Sequence, residues 1–217
     1  MTTFFQQRAR RLALAALVCG LWLGASGAAQ AQDLARGEVV FGYCTQCHGE
    51  QGWGEPLSLA PAIAGLPVWF VEGQLNKFRS GLRGTHFDDI AGMRMRPMSL
   101  SVKSEEDVKH VAAYVASLPV RKPATTLMGG DPKRGAERYK VCISCHAADG
   151  TGNQALTGAP LANLNDWYLL RQLENFKTGV RGTNPKDMFA TTMRPMAMQL
   201  DEQGMKDVIA YINSLAE

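Results

Sequence analysis

Two short runs that place two cysteines beside a histidine carry the most distinctive chemistry of this sequence. Each run has the pattern C-x-x-C-H, at residues 44–48 and again at residues 142–146. Thiols at this spacing can form a redox-active disulfide, share a metal ion or bond to a cofactor. A redox dithiol of the thioredoxin type is accompanied by alternating strands and helices, and a structural zinc ion needs four nearby ligands. Neither copy supplies these companions.

The remaining interpretation is covalent attachment of haem, because C-x-x-C-H is the attachment signature of c-type haem. The two thiols add to the vinyl groups of the porphyrin, and the adjacent histidine is held against the iron as its proximal ligand. Covalent attachment suits a small domain, which cannot fully enclose a cofactor by packing alone. The sequence therefore predicts two covalently bound haem c groups, with Cys44, Cys47 and His48 holding the first and Cys142, Cys145 and His146 holding the second.

The two motifs belong to a tandem duplication. The second motif stands 98 residues after the first, and the same offset relates further short matches along the chain. These include Arg36-Gly37 with Arg134-Gly135, Arg83-Gly84-Thr85 with Arg181-Gly182-Thr183, and Met95-Arg96-Pro97-Met98 with Met193-Arg194-Pro195-Met196. The repeat is much longer than the unit of a solenoid, so it indicates two domains.

The N-terminal segment has the composition of an export signal. A basic stretch from Arg8 to Arg11 precedes an apolar run, and Ala29-Gln30-Ala31 provides small residues at a cleavage site. An uncleaved membrane anchor is the alternative. We therefore expect residues 1–31 to be a signal peptide and the protein to be periplasmic, with membrane contact only through partners unless the signal stays uncleaved.

The balance of charges argues against a nucleic-acid-binding surface. The chain of 217 residues has 23 Lys and Arg residues against 20 Asp and Glu residues. Because no acidic residue precedes Asp33, the three arginines near the N-terminus account for the whole excess. The remaining chain is formally neutral, and it lacks the excess of positive charge with which proteins bind a phosphate backbone.

Periodicity and capping residues predict an all-α fold with two domains, at residues 32–118 and 131–217, joined by a linker at 119–130 that contains proline and glycine. Each domain has three helical segments, and they cover residues 34–44, 67–80 and 105–118 in the first domain and 132–142, 166–178 and 202–215 in the second. Irregular stretches rich in Gly, Met and Pro precede the last helix. Three short helices leave a small core, so each domain is expected to wrap around one haem.

The second axial ligand of each iron is expected to be a methionine. His86 and His110 have no counterparts in the second copy, which disfavours a pair of histidines on each iron. Met-Arg-Pro-Met precedes the last helix in both copies, and its proline interrupts a helical stripe. We expect an irregular loop there that carries a thioether over the open face of the haem, although methionines also fill gaps in apolar cores.

At this point the chain resembles a known family, the dihaem class I cytochromes c, and most closely the cytochrome c4 type. The resemblance covers residues 33–217 and rests on the two C-x-x-C-H motifs, on Met95 and Met193, and on the closing helices with Ala113-Tyr114 and Ala210-Tyr211. In that family the ligand methionine lies about seven residues before the leucine that opens the last helix. Met193 fits this spacing against Leu200. The first copy departs from the spacing by one residue and has Lys103 where that leucine would be, which leaves Met98 as the alternative to Met95.

The resemblance also implies supporting residues around each haem. Pro61 and Pro160 are expected near the proximal side, where a backbone carbonyl accepts the proton from the second nitrogen of the ligand histidine. Arg83 and Arg181 are expected to contact haem propionates, unless they are ordinary solvated arginines. The first helix of each domain is expected to cross closely over the last one at Gly37 and Gly135.

A histidine and a methionine on each iron leave no open position for a substrate, so these residues favour an electron carrier over an enzyme. The expected function is to shuttle electrons in the periplasm between respiratory partners, such as a quinol-oxidising complex and a terminal oxidase or reductase. The alternative is a dihaem electron-transfer subunit of a larger redox enzyme, such as a flavocytochrome dehydrogenase. A dihaem peroxidase or a sulfur-oxidising cytochrome would need an open iron or a cysteine ligand, and no cysteine remains outside the two motifs after signal removal.

Overall fold

The computed structural model describes residues 34–215 as a helical protein, with two isolated β-bridges and no strand among those residues. The expected signal peptide at residues 1–31 lies outside the described residues. In the part of the chain that the structure describes, no helix is long and apolar enough to cross a membrane.

The first domain contains five helices among its described residues, and the second domain repeats them in the same order. Helix α1 covers residues 34–41, and it is followed by α2 (Thr45–His48), α3 (Val68–Arg79), α4 (Ile90–Ser101) and α5 (Glu105–Ser117). The second domain contains α6 (Pro132–Tyr139), α7 (Ile143–His146), α8 (Asp166–Thr178), α9 (Met188–Met198) and α10 (Glu202–Leu215). A short 3₁₀ helix, Pro56–Ser58, follows α2. This repetition confirms two tandem domains of one fold.

Capping residues set the helix boundaries where the sequence predicts them. The hydroxyl of Ser104 accepts a hydrogen bond from the N–H of Asp107, and Asp131 caps α6 through the N–H groups of its first turn. Helix α8 ends at Gly179, which has φ 83°. A residue with a side chain is strained in this left-handed conformation, so glycine stops the helix at low cost.

The first and last helices of each domain cross at close range. A Cβ atom on Gly37 would lie 2.2 Å from the carbonyl oxygen of His110, and one on Gly135 would lie 2.0 Å from that of Asp207. Only glycine allows this approach, as expected. The arginine before each glycine adds hydrogen bonds between the two helices. Arg36 donates to the carboxylate of Asp107, and Arg134 donates to that of Asp207.

The Met-Arg-Pro-Met segments are helical, so the expectation of an irregular loop was wrong. Met95 and Pro97 lie inside α4, and Met193 and Pro195 lie inside α9. Each helix begins at a strong cap, because the Asp89 carboxylate accepts from the N–H of Gly92 and the equivalent aspartate does the same in α9. A proline removes one N–H donor from the helix, and it is tolerated here because the cap stabilises the first turn of each helix.

The helices α1 and α6 end at residues 41 and 139, three residues earlier than expected. The chain turns there so that the cysteine motifs can start α2 and α7. The linker at residues 119–130 has no regular structure, as expected, but the Asp166 carboxylate accepts hydrogen bonds from the N–H and hydroxyl of Thr126 and from the N–H of Leu127. The linker is therefore fastened to the start of α8.

The domains share a buried apolar contact as well as the linker. Leu66 of the first domain lies in the same buried cluster as Leu164 and Val208 of the second. The N–H of Ala62 donates to the side-chain oxygen of Asn165 over 2.6 Å, which ties the loop after α2 to the cap of α8. The two domains therefore meet through the loop that follows α2 in the first domain and through the segment before α8 in the second.

Candidate haem sites

Each C-x-x-C-H motif forms a single helical turn. The N–H of Cys44 donates to the carbonyl of Phe41 over 2.7 Å, and the N–H of His48 donates to the carbonyl of Cys44 over 2.9 Å. The second motif repeats these contacts, with 2.8 Å from the N–H of Cys142 to the carbonyl of Tyr139. Because residues three apart share one face of a helix, both thiols of a motif point to the same side. This is the arrangement that two thioether bonds to one porphyrin edge require.

The first cysteine of each motif does not have the character of a redox-active thiol. Burial, with a smaller contribution from Cys47, raises the pKa of Cys44 to about 11. Burial also raises the pKa of Cys142. A catalytic dithiol needs a lowered thiol pKa, since the thiolate is the nucleophile. The surroundings of these cysteines therefore fit covalent anchors and not disulfide exchange.

Both histidines are held through Nδ1 by a backbone carbonyl thirteen residues further along the chain. The His48 Nδ1 atom lies 2.8 Å from the carbonyl oxygen of Pro61, and the His146 Nδ1 atom lies 2.7 Å from that of Ala159. The expectation of Pro160 for the second domain is corrected to Ala159. The reason is physical: the acceptor is a backbone oxygen, so the distance along the chain selects it and the side chain does not.

The carbonyl contact leaves Nε2 of each ring for a metal. Burial lowers the pKa of His48 against the opposing effect of the Pro61 carbonyl, and burial likewise lowers the pKa of His146. The neutral imidazole is the form that coordinates iron, with its Nδ1–H donated to the carbonyl.

A cleft in the first domain brings the anchors, the histidine and the methionines together. It has about 1280 Å³ of empty space, counted with its opening to solvent. Its lining includes Cys44, Cys47 and His48 together with Met95 and Met98. The remaining lining is mostly apolar, as is usual for a site that holds a large planar cofactor.

The two candidate methionines of the first domain differ in burial. Met95 is partly buried and packs against the first-domain core, whereas Met98 is 37% exposed. In the second domain Met193 packs against the cluster of Phe176, Ala190 and Ala197, and Met196 is exposed. The residues that the sequence favours are thus the better-sheltered thioethers of each pair.

Arg83 and Arg181 lie at the contact between the domains and not in bulk solvent. Arg83 donates to the side-chain oxygen of Gln74 over 2.8 Å and to that of Gln172 over 3.1 Å. Arg181 donates to the same two oxygens, over 3.4 Å and 2.7 Å respectively. Neither Nε atom has a hydrogen-bond partner, although both are buried. Unsatisfied guanidinium donors beside a cofactor cleft fit the carboxylates of haem propionates.

Sequence reasoning missed the polar partners in this contact. Gln74, Gln172 and Tyr168 belong to no motif that marks them as partners of the two arginines. The available signal was a glutamine repeated at one position of the same helix in both copies. The Nε1 atom of Trp167 is a further buried donor without a partner.

Comparison with known proteins finds one family in both halves of the chain. Residues 34–119 and 132–216 each match the family described as Cytochrome c. A cytochrome c4 of Stutzerimonas stutzeri is 30% identical over 206 residues, which are 90% of this chain and 95% of that protein. A thiosulfate dehydrogenase electron acceptor of Thiomonas intermedia (strain K12) is 31% identical over 207 residues, covering 88% of this chain and 85% of that protein. The crystal structure of reduced recombinant cytochrome c4 from Pseudomonas stutzeri superposes with a TM-score of 0.64 at 26% identity, covering 83% of this chain and 97% of that one.

Proposed function

The chain belongs to the cytochrome c family as a cytochrome c4-like protein with two haem c groups, and we propose that it shuttles electrons between respiratory partners through two His/Met-ligated irons. Electron transfer follows from the family and from the duplicated attachment motifs. We further propose the ligand set of each iron, the absence of a catalytic step and a place for the protein in a respiratory chain.

One observation carries the proposal: in the first domain, the cleft that contains the two anchoring cysteines is lined by a histidine fixed through Nδ1 and by a sheltered methionine. When bound, haem supplies an iron that changes between two oxidation states. His48 would give it a donor nitrogen whose orientation Pro61 fixes, and Met95 would give it a soft thioether that favours the reduced state. His146 and Met193 would do the same in the second domain.

This arrangement favours a carrier over a catalyst. With His48 and Met95 on one iron and His146 and Met193 on the other, the protein would occupy the positions at which peroxide or oxygen could bind and would leave the cofactors with electron transfer alone. The apolar lining and the shelter of Met95 also limit access of water to the cleft. We therefore propose that the chain itself has no enzymatic activity.

A second candidate is an electron-transfer partner or subunit of a dehydrogenase. The Thiomonas intermedia relative is named as an electron acceptor of thiosulfate dehydrogenase, and that name supports acceptance of electrons from an oxidising enzyme. Both candidates use the same residues. Co-purification with a second polypeptide favours the subunit, and a free monomer favours the shuttle.

The compartment and the partners follow from the expected signal peptide and from the cofactor chemistry. We propose a periplasmic protein that exchanges electrons with a quinol-oxidising complex and with a terminal oxidase or reductase. The docking surface would be small and weakly charged, because the described domains have nearly balanced charges and redox encounters are transient.

Absorption spectroscopy tests the proposal directly. The pyridine haemochrome assay counts covalent haem per chain, and the near-infrared band of the oxidised protein reports methionine bonded to ferric iron. We expect two haems and two methionine-ligated irons. Turnover of peroxide by the isolated protein, or an iron with only one protein ligand, would contradict the carrier function.

A further inference from the structure

The cluster of arginines and glutamines between the domains contains a tyrosine that breaks its symmetry. Gln74 matches Gln172 and Arg83 matches Arg181, and each arginine also lies over a phenylalanine of its own domain, with 4.5 Å from Arg83 to the Phe78 ring. Tyr168, in contrast, stands where the first domain has Phe70. The duplication therefore supplies one phenol to this contact, and it comes from the second domain.

Tyr168 belongs to the second domain but lines the cleft of the first. Its oxygen accepts a hydrogen bond from Nη2 of Arg83 over 3.0 Å, and its side chain forms part of the wall of the cleft that contains His48. Since the Arg83 N–H uses the phenol as an acceptor, the phenolic proton remains available for donation. Tyr168 thus brings a hydrogen-bond donor from one domain to the cofactor site of the other.

The donors at this position need an acceptor. The Nε atom of Arg83 is buried without a partner, and Arg83 as a whole is 9% exposed. The charged groups nearby are Arg181, whose pKa burial and Arg83 lower to about 10, and the buried carboxylates of Asp89 and Asp187. Asp89 caps α4 and Asp187 is paired with Lys77, so both carboxylates are already engaged.

The surroundings of Tyr168 are consistent with a phenol held among cations. Burial raises its pKa, but the positive charges of Arg83 and Arg181 outweigh this effect, so that its pKa lies below the ordinary value. A phenol in such a field is a stronger hydrogen-bond donor. The acceptor chemistry that fits is a carboxylate at the edge of the bound cofactor.

We propose that Tyr168 is a positioning residue through which the second domain sets the reduction potential of the first haem. The inference rests on the proposed function, because it concerns the potentials of two haem irons. A donor whose positive end points toward the cofactor favours the reduced state, which carries one positive charge less. The first domain has Phe70 at the equivalent position and offers no such donor to the second haem. The two haems therefore differ in reduction potential.

The test is a redox titration of the complete holoprotein carrying Tyr168→Phe, a change that removes one hydroxyl and keeps the ring. We expect the ratio of oxidised to reduced first haem at a given applied potential to rise threefold to tenfold. A tenfold rise corresponds to a reduction potential lowered by about 59 mV for one electron. The second haem stays unchanged. Repeating the titration in a Met193→Ala background assigns each transition to one haem. That substitution moves the reduction potential of the second iron out of the range of methionine-ligated haems.

Tyr114→Phe is the matched control. Tyr114 packs against Phe41 and does not line the cleft, so removing its hydroxyl leaves both potentials unchanged. An unchanged first haem in Tyr168→Phe would overturn the inference, and so would an equal shift of both haems or an equal shift in the control. A lowered melting temperature with unaltered potentials would reduce Tyr168 to a packing residue. A protein without two reversible transitions would contradict the proposed function itself, which separates the two failures.

Discussion

Lys77 of the first domain donates to the carboxylate of Asp187 in the second, with 2.7 Å between Nζ and Oδ1. The same carboxylate caps α9 by accepting from the N–H of Ala190. Asp187 is 5% exposed, so its charge depends on these partners. The contact between the domains is therefore linked to the start of the helix that carries Met193.

Replacing Lys77 tests this link. Lys77→Met should lower the free energy of unfolding by about 2 kcal/mol, between the values of exposed and buried ion pairs, because it leaves a buried carboxylate without its cation. Urea unfolding followed by circular dichroism measures the change. Lys140→Met is the control, since Lys140 pairs with Glu137 at the surface and its loss should be hardly measurable. Equal effects of the two substitutions would show that the pair between the domains has no special weight.

Methionine ligation is tested by single substitutions. Met95→Ala and Met193→Ala should each remove half of the near-infrared band that arises from methionine bonded to ferric iron, because each thioether serves one haem. Met98→Ala is the control in the first domain, where the 37% exposed side chain lines the same cleft. Loss of half of the band with Met98→Ala and its retention with Met95→Ala would reverse the assignment.

The crossing of α1 and α5 predicts a severe effect of a single methyl group. Gly37→Ala should destabilise the protein by about 3 kcal/mol, since the new Cβ would lie 2.2 Å from a backbone oxygen and the helices must move apart. The control is Gly73→Ala in the middle of α3, where nothing lies within 4 Å of the added atom. That substitution should stabilise the protein by about 0.5–1 kcal/mol. Thermal unfolding of the holoprotein compares them, and a harmless Gly37→Ala would disprove the close crossing.

Acid sensitivity should concentrate at Asp207. Hydrogen bonds from Arg134, the N–H of Asp131 and Gln203 outweigh burial and hold the pKa of this buried carboxyl well below its usual range. Its stabilising effect is complete above the ordinary carboxyl pKa of about 3.9 and is lost as the pH falls toward the lower folded value. Asp207→Asn should therefore be less stable than the natural protein at pH 7, and the difference should shrink below about pH 4.

Melting temperatures between pH 7 and pH 3 measure this dependence. Glu174→Gln is the comparison, because Glu174 is 49% exposed and faces Arg171 at the surface. Its stability difference from the natural protein should be small at every pH. A pH-independent penalty for Asp207→Asn would show that its carboxylate acts through packing instead of charge.

The sequence predicts those parts of the molecule that depend on local signals. The attachment motifs, the duplication, the caps at Ser104 and Asp131 and the glycine crossings all rest on residue types close together in the chain. The helices α4 and α9 were missed, because Pro97 and Pro195 suggest interruption while the aspartate caps that start these helices carry a weaker signal. Local propensity was overruled by the packing of the helix against its neighbours.

Contacts between the domains were beyond this kind of prediction. Arg83 and Tyr168 are 85 residues apart, and nothing in the pattern of either segment indicates that they meet. The sequence places the acceptor for His146 at Pro160, whereas the backbone brings the carbonyl of Ala159 to the ring instead. Long-range pairing and backbone acceptors leave little trace in residue identity.

The hydrogen bonds that anchor the linker bear on the effective concentration of one domain around the other. Pro119 accepts from Nε1 of Trp53 over 2.8 Å, and Thr126 is bound to Asp166, so the segment is held near both of its ends. A loose tether gives its two modules an effective concentration that depends on tether length. Here direct contacts between the domains, such as those of Lys77 with Asp187 and of Ala62 with Asn165, already hold the two domains together. Extra residues inserted between the two anchors should therefore leave the rate of electron exchange between the haems unaltered.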